Sequence, residues 1–426
     1  MYAPVLNSEE KARELIDVVR EQTDAPIDTC INTVSIILSS LLRDLPDAYN
    51  LHVIKNALEK DDIIDLDNCY DAKVLEQLTA NIISHIADKE LEYAVERTLQ
   101  IDSSVVLQLD YSTRNDETMM VTSLQQFAGF LKKADVRVSI KRFRQDDYAF
   151  IEQLVSLYQM ELRNSVRIEL LSTFHSLCLL DRSVITMLLC GKLPVLLVLH
   201  NNFRLPLTEL DVLSLKLLTA LFSTGEQFPT LHYDALNLEF LTKIVSIIED
   251  SLDAFQFLLS FNAHFELNES IVIQALHNNP PLTFGQLLTM QLNQCRADNK
   301  DLRAVKLLMD IFCVSEDLVS VLFYDNDLKV LYRILCQDLI DTNQPQKMAM
   351  ILEIMKNMEV VRRCGFTREI FASVKTFLLT HETKVELRLC AESILERATE
   401  RYKLEKENED NGAGPVSTND IKEKVE

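Results

Sequence analysis

Residues 213–222 read LSLKLLTALF, and this stretch is apolar on more than one face when it is wound as an α-helix. Such a helix has to be covered on two sides, as an interior helix of a stacked array is. The chain has only 7 glycines in 426 residues, too few for the tight turns of β-sandwiches or the phosphate loops of nucleotide-binding sheets. The sequence therefore predicts an all-α protein.

Helical spacing extends on both sides of this stretch. The clearest case is a set of apolar positions that follow i, i+3, i+4, i+7, i+8 and i+11: Leu328, Leu331, Tyr332, Leu335, Cys336 and Leu339. We predict Asp327 as the N-cap of that helix. Further helices are predicted at about 8–22, 26–43, 71–87, 115–132, 147–160, 163–180, 207–223, 237–249, 269–277, 299–314, 346–359, 367–379 and 383–403.

The density of these helices predicts an armadillo/HEAT-like helical-repeat superhelix. Residues 111 to 396 would hold roughly seven units of about 40 residues each. No sharp repeat consensus is present, and a compact irregular helical bundle is the rival fold. We predict three parts: an acidic helical N-terminal extension at 1–110, the armadillo-like domain at 111–398, and a disordered tail at 399–426, which lacks apolar residues to bury.

The charge of the chain is strongly acidic, at −22, and residues 1–110 hold 22 acidic but only nine basic residues. This charge repels phosphate backbones and anionic headgroups, so no nucleic acid is expected as a partner. The nine cysteines form no CxxC pair, which favours a reduced, cytoplasmic protein. No signal peptide is recognised. The most apolar stretch, 184–199, is cut by Gly191 and Pro194, so we predict two buried helices there and no transmembrane segment.

Enzyme motifs are missing: the sequence has no GxGxxG, GxxxxGK[ST], HExxH or GxSxG. No catalytic residue, metal ligand or cofactor is predicted. His175 and Cys178 lie at i, i+3 on one helix, but a partly buried histidine and a core thiol explain them better than a metal or nucleophile site. An acidic cluster at 61–67 lacks the glycine and final glutamate of an EF-hand loop and is predicted to be a solvated loop.

Two further patterns concern surfaces. A basic strip lies in an otherwise acidic chain and consists of Lys132, Lys133, Arg137, Lys141, Arg142 and Arg144. Three interpretations stay open: it steers docking onto an acidic partner, it neutralises the acidic N-terminal region, or it is a solvated connector. One helix carries Met348, Met350, Met355 and Met358, for which core packing is favoured over an adaptable binding surface.

Three segments in a fixed order carry a family resemblance: ALFSTGEQFPTLHYDALNLEFLTKIVSIIED at 220–250, LLSFNAHFEL at 258–267, and LLMDIFCVSEDLVSVLFYDNDLKVLYRILCQDL at 307–339. Together they resemble the leucine-rich domain of the NCK-interacting SH3 proteins, also called the WISH/DIP/Ldb family, over about residues 113 to 396.

The resemblance implies a function that periodicity alone does not. Members of the family bind the actin-related protein 2/3 complex through this domain and activate it without a preformed filament, which yields a linear seed filament. The implied place of action is cytoplasmic, at cortical or endocytic actin. Members that resemble the vertebrate ones begin with an SH3 domain and a proline-rich segment. Here the N-terminal region is acidic helix, so binding to NCK or to proline-rich ligands is not implied.

Candidate partner-binding residues follow from the likeness and from the basic strip. They are Gly225, Glu226, His232, Tyr233, Phe323, Tyr324, Asp327, Lys141, Arg142 and Arg144. Structural roles are the alternative for the loop residues: a helix stop at Gly225, a cap at Asp327 and packing for the aromatic side chains. The expected function is non-catalytic activation of the actin-nucleating complex. The alternative is a helical-repeat scaffold for endocytic or cortical proteins.

Overall fold

The computed structural model describes residues 7–60, 62–98, 103–295, 301–314, 316–358, 367–380 and 385–410. Within these residues there are 21 α-helices and no β-strand, and the chain is 78% helical. The predicted all-α, helical-repeat class is confirmed. The chain divides into two compact units, of which the first contains residues 1–202 and 206–232 and the second contains residues 203–205 and 233–426.

The first unit contains eleven described α-helices. They are α1 Ser8–Thr23, α2 Ile27–Asp44, α3 Tyr49–Leu58, α4 Tyr70–Thr98, α5 Ser103–Leu131, α6 Val136–Gln145, α7 Ala149–Met160, α8 Asn164–Cys178, α9 Arg182–Cys190, α10 Leu193–Leu199 and α11 Glu209–Leu221. The last three include the two helices predicted within 184–199 and the helix that contains LSLKLLTALF. Most side chains of this stretch are buried, as its two apolar faces require.

The second unit contains the other ten described α-helices. They are α12 Leu238–Ser246, α13 Leu252–Asn262, α14 Ile271–Asn278, α15 Phe284–Cys295, α16 Arg303–Val314, α17 Glu316–Leu322, α18 Asp325–Asp341, α19 Pro345–Met358, α20 Thr367–Thr380 and α21 Val385–Asp410. Helix α21 continues past residue 398, where the tail was predicted to begin. Residues 411–426 lie outside the described residues, so a tail there stays a prediction.

Helices three positions apart in the chain pack against each other in both units. In the first unit α5 packs on α8 and α8 packs on α11; in the second, α13 packs on α16 and α16 packs on α19. Successive members of each series begin roughly 40 to 60 residues apart, near the period of armadillo and HEAT units. The repeat is therefore a repeat of packing and not of sequence, which is why no consensus is visible in the residues.

The first three helices have a hydrophobic core of their own. The buried side chains of this core include Ile16, Ile27, Val34, Leu38 and Ile54, and the three helices contact one another pairwise. This bundle lies within the predicted extension at 1–110, whose boundary stays a prediction.

One buried arginine joins the N-terminal helices to the rest of the first unit. The Arg20 side chain is fully buried, and its Nε donates to Asp71 Oδ1 at 2.8 Å. Its two terminal nitrogens donate to Asp24 and to the carbonyl of Lys133, each at 3.2 Å. The second Asp71 oxygen accepts from the backbone N–H of Asp135 at 2.8 Å. Helices α1 and α4 and the start of α6 thus meet at one pair of charges.

Several short helices were not predicted, namely α3, α6, α13, α15 and α17. Helix α6, VRVSIKRFRQ, is rich in charged and β-branched residues and carries most of the basic strip. It forms because Asp135 caps it, accepting from the Arg137 backbone N–H at 2.8 Å, and because Val138 and Phe143 are buried. Tertiary packing outweighs the weak helix propensity of this stretch.

We expect Asp71→Ala to lower the free energy of unfolding by about 3 to 5 kcal/mol, because it leaves the Arg20 charge buried without its main partner. The exposed Lys11–Glu14 pair on α1 provides the control, and Glu14→Ala should cost less than about 1 kcal/mol. Urea unfolding followed by circular dichroism measures both. Equal losses in the two variants would contradict a special role for Asp71.

Candidate partner-binding surface

The loop after α11 holds the first group of family-like residues. A short 3-10 helix, Phe222–Thr224, ends at Gly225, whose φ of 67° is a left-handed conformation that favours glycine. The predicted helix stop is therefore confirmed. Glu226 accepts from the Thr186 hydroxyl and from the Arg182 guanidinium, and these two bonds, in that order, lower the pKa of its carboxyl. This loop is thus fixed onto α9.

His232 and Tyr233 have different surroundings. His232 is buried, its Nε2 lies 2.9 Å from the carbonyl oxygen of Leu189, and its ring lies 5.9 Å from that of Phe228. A buried ring cannot touch a partner directly, so His232 positions the loop. Tyr233, which belongs to the second unit, is part-exposed and packs 6.1 Å from Phe265.

The turn between α17 and α18 holds the second group. Phe323 is buried and lies 6.0 Å from Phe312, whereas the neighbouring Tyr324 is 58% exposed. Two valines in this part of the chain, Val321 and Val330, also expose about half of their surface. We call Val321, Tyr324 and Val330 the turn patch. Each of the three exposes apolar surface, of the kind that partner proteins cover.

Asp327 has a different role from the one predicted. Helix α18 begins at Asp325, with Tyr324 at the N-cap position, so Asp327 is the third residue of the helix and not its cap. Its carboxylate accepts from the backbone N–H of Tyr324 at 3.3 Å, which is the reverse arm of a capping box. The apolar spacing places the start of this helix one turn too late. Asp325 and Asn326 are helical but exposed, so they add no apolar position to the pattern.

Gly285, which sequence reasoning missed, supports this turn. A Cβ atom at this position would lie 2.4 Å from the carbonyl oxygen of Leu322 and 3.0 Å from the Phe323 ring. Helix α15 therefore reaches the end of α17 only because position 285 has no side chain. The only signal in the sequence is a lone glycine inside an apolar helical pattern, which often marks a close approach of two backbones.

A buried polar network also lies in the second unit. Asn262, from the LLSFNAHFEL segment, donates to Asp310 at 2.7 Å and accepts from the Ser270 hydroxyl at 2.6 Å. Lys306 also donates to Asp310, yet burial outweighs these bonds and raises the pKa of the Asp310 carboxyl. The network joins α13, α14 and α16 and has a structural role.

Most side chains of the basic strip form ion pairs with acidic residues of the same molecule. Lys133 pairs with Asp24, Lys141 pairs with Asp67 at 2.7 Å, and Arg144 lies 3.3 Å from Asp181. Arg142 and Arg137 pair with Asp146 and Asp135. Since two of these pairs reach residues 1–110, the geometry favours neutralisation of the N-terminal region. A role of Lys141, Arg142 and Arg144 in partner binding stays a prediction.

The other residues considered for metal binding, nucleophilic chemistry or partner binding make contacts that indicate structural roles. In the acidic cluster, Asp65 accepts from Asn68 and Asp67 pairs with Lys141, while Asp61 lies outside the described residues. Burial raises the pKa of the Cys178 thiol to about 12, so it is protonated and unreactive at neutral pH. Met348 and Met355 are buried, as core packing requires.

No metal-binding group of three or more side chains is found among the described residues. Their eight cysteines are free thiols, and Cys364 lies outside them. No single described helix has the length and apolar composition to cross a membrane; α1 with α2 and α9 with α10 meet those criteria only as bent pairs.

Residues 249–365 match the family model of the SPIN90/Ldb17 leucine-rich domain. The resemblance is therefore confirmed for this range, which contains the segments at 258–267 and 307–339 and the turn patch. The segment at 220–250 lies almost wholly before it. The match indicates involvement in actin or endocytic function.

A solved structure from work titled "Computational Design of Self-Assembling Cyclic Protein Homooligomers" is similar over 95% of this chain and 99% of its own length. Its identity is 13% and its TM-score is 0.11, so it carries no argument.

Three glycine-to-alanine changes separate backbone strain from close packing. Gly225→Ala should cost about 1 kcal/mol because of its left-handed conformation, and Gly285→Ala should cost more, about 2 to 4 kcal/mol, through overlap with Leu322. Gly129, inside α5 with open space around it, is the control, and its change to alanine should stabilise by up to about 1 kcal/mol. Chemical unfolding gives all three values. A neutral Gly285→Ala variant would contradict the close approach.

The pairs of Asp24 with Lys133 and of Asp67 with Lys141 predict a pH dependence. The lysine hydrogen bonds lower the pKa of both carboxyls below the ordinary 3.8. Their stabilisation is therefore present above pH 3.8 and is lost as the pH falls through the lowered values. We expect the Asp24→Asn/Asp67→Asn variant to melt below wild type at pH 7, and the difference in melting temperature to narrow as the pH falls below 3.8. Lys133→Gln/Lys141→Gln should behave alike; a difference that does not narrow on acidification would contradict the pairing.

Proposed function

We propose that this protein is a non-catalytic regulator of actin assembly that binds the actin-related protein 2/3 complex and activates it without a preformed filament. The product is a linear seed filament. The supporting observation is the match of residues 249–365 to the SPIN90/Ldb17 leucine-rich domain. The proposed place of action is cortical or endocytic actin in the cytoplasm.

A helical-repeat body suits this task because activation requires no reaction on the protein itself. The nucleating complex exists in inactive and active arrangements, and a protein that binds the active one more tightly shifts the population toward it. A shift from mostly inactive to mostly active requires a preference of several kcal/mol for the active arrangement. A fixed surface supplies such a preference better than a flexible one, since less freedom is lost on binding.

The turn patch is the surface that we assign to the partner. It lies inside the family match, and Tyr324 combines a large apolar ring with a hydroxyl, which suits a site that becomes buried on binding. Phe323 and Gly285 hold the turn in place from below. The chain has a net charge of −22, so a basic or neutral face of the complex is the expected counterpart.

The test mixes the purified chain with the complex and fluorescent actin, without any other activator and without preformed filaments. Faster assembly into unbranched filaments is the expected result. Tyr324→Ala should weaken association by about tenfold, as loss of a central tyrosine does. Tyr49→Ala is the matched control, because Tyr49 is also highly exposed but lies outside residues 249–365, and it should behave as wild type.

Two outcomes would overturn the proposal in different ways. Binding of the complex without faster assembly would favour the scaffold alternative, in which the chain holds its partners and leaves their activity unchanged. Equal losses for Tyr324→Ala and Tyr49→Ala would remove the turn patch from the interface. Absence of any binding would leave the fold intact and remove this function.

A further inference from the structure

A cavity of about 570 Å³ lies beside α1 in the first unit. It is lined by residues of α1, by the first residue of α2 and by residues between positions 63 and 73, before and within the start of α4. Pockets that bind ligands usually hold about 300 to 1,000 Å³, so this one is large enough for part of a peptide. We call this cavity the α1 groove.

The inner lining of the α1 groove is apolar. Ile16, Ile27 and Ile63 line it and are almost fully buried. Val18 also lines it and is 49% exposed, so apolar surface continues from the buried side of the groove to its opening. An apolar side chain of a ligand would be removed from water along this lining.

Carboxylates dominate the polar lining of the groove. Four of them follow i, i+4, i+7 and i+11 along one side of α1: Glu10, Glu14, Asp17 and Glu21. Asp65 is a fifth. Two cations line the groove, Arg13 and Lys73, and the Nε of Arg13 already donates to the Ile63 carbonyl at 2.7 Å. The groove therefore has an excess of negative charge.

These carboxylates differ in how far the chain itself satisfies them. Asp17 is half-buried and accepts from the backbone N–H of Tyr70 at 3.0 Å, and burial raises the pKa of its carboxyl. Glu14 pairs with Lys11 at 2.6 Å. Glu10 and Glu21 form no ion pair with any other residue that the structure describes. Their charges are available to a ligand.

The row of acids lowers the stability of α1. Like charges at i, i+4 repel each other, and Glu10 with Glu14 and Asp17 with Glu21 are two such pairs. Glu21 also lies in the last turn of α1, where the helix dipole disfavours an anion. A ligand that brings positive charge to this side of α1 would relieve both effects.

The spacing of the charges fits a row of cations better than one ion. Glu10 and Glu21 lie roughly 16 Å apart along the helix axis. No group of three or more side chains suited to a metal ion is present in the part of the chain that the structure describes. An extended peptide of about five residues spans the same length, and its side chains alternate between two sides. Basic side chains can then face the carboxylates while apolar ones face the isoleucines.

We propose that the α1 groove binds an extended basic segment of another protein. Lysine or arginine side chains of that segment pair with Glu10 and Glu21, and its apolar side chains pack along the lining that ends at Val18. Charge complementarity selects this class of partner, because the groove and residues 1–110 as a whole carry excess negative charge. The groove lies outside residues 249–365, so the proposal does not depend on the proposed function.

The probe is the peptide Lys-Leu-Lys-Leu-Lys with an uncharged fluorophore, titrated against the full chain at low salt by fluorescence anisotropy. One counterpart carries glutamine in place of lysine, and the other carries serine in place of leucine. Wild type should bind the first peptide about tenfold more tightly than either counterpart, which lacks the ion pairs or the apolar contacts. Added salt should weaken this binding.

Two variants locate the site on the protein. Glu10→Gln/Glu21→Gln should weaken binding of the lysine–leucine peptide about tenfold, and circular dichroism checks that the fold is kept. Glu152→Gln/Glu209→Gln is the charge-matched control, because both glutamates are exposed on helices of the first unit and neither lines the groove. Val18→Lys places a cation at the opening of the groove and should abolish the preference for lysine over glutamine.

Each comparison has an outcome that contradicts the proposal. Equal losses in the two double variants would reveal a general effect of net charge and remove the groove as the site. A preference for lysine that survives Val18→Lys would do the same. Equal affinity of wild type for the leucine and serine peptides would show that charge alone is recognised, as by a polyamine, and would overturn the peptide assignment.

Discussion

The arrangement of the first unit depends on the buried pair of Arg20 and Asp71. Two opposite charges are removed from water together, which is tolerable because each of the three guanidinium nitrogens and both carboxylate oxygens have a hydrogen-bond partner. Asp24 and the Lys133 carbonyl accept further hydrogen bonds from the Arg20 guanidinium, and the Asp135 backbone N–H donates to the Asp71 carboxylate. Since the hydrogen bonds require one geometry, this pair fixes how α1 and α4 meet the start of α6 more strictly than apolar packing does.

The role of the basic strip is related to this contact between α1, α4 and α6. Lys133 and Lys141 lie on either side of Asp135 in the sequence and pair with Asp24, directly after α1, and Asp67, in the turn before α4. Exposed pairs of this kind contribute little each, but they compensate an acidic segment that would otherwise repel the rest of an acidic chain. The buried pair thus fixes how the helices meet, and the exposed pairs neutralise part of the acidic charge of the N-terminal region.

The helical class and many of the helices could be predicted because apolar spacing is a local signal. The parts that could not be predicted depend on contacts distant in sequence. Helix α6 forms only when Phe143 is buried. The role of Asp327 depends on where α18 begins. Gly285 matters only because the Leu322 backbone lies within a few ångströms of it. Among the candidate site residues, the burial of His232 and Phe323 likewise follows from packing. Tyr324, by contrast, is exposed, so its side chain is available for contact with a partner.

The position of Arg20 has a consequence for synthesis on the ribosome, where the chain emerges from its N-terminus. The bundle of α1 to α3 has its core complete before residue 71 has appeared, but Asp71 and Asp135 emerge later. During that interval the guanidinium is better left in water, so the inner face of α1 stays hydrated. Vectorial growth therefore delays docking of α1 onto α4 and α6 until Asp71 and Asp135 have been made.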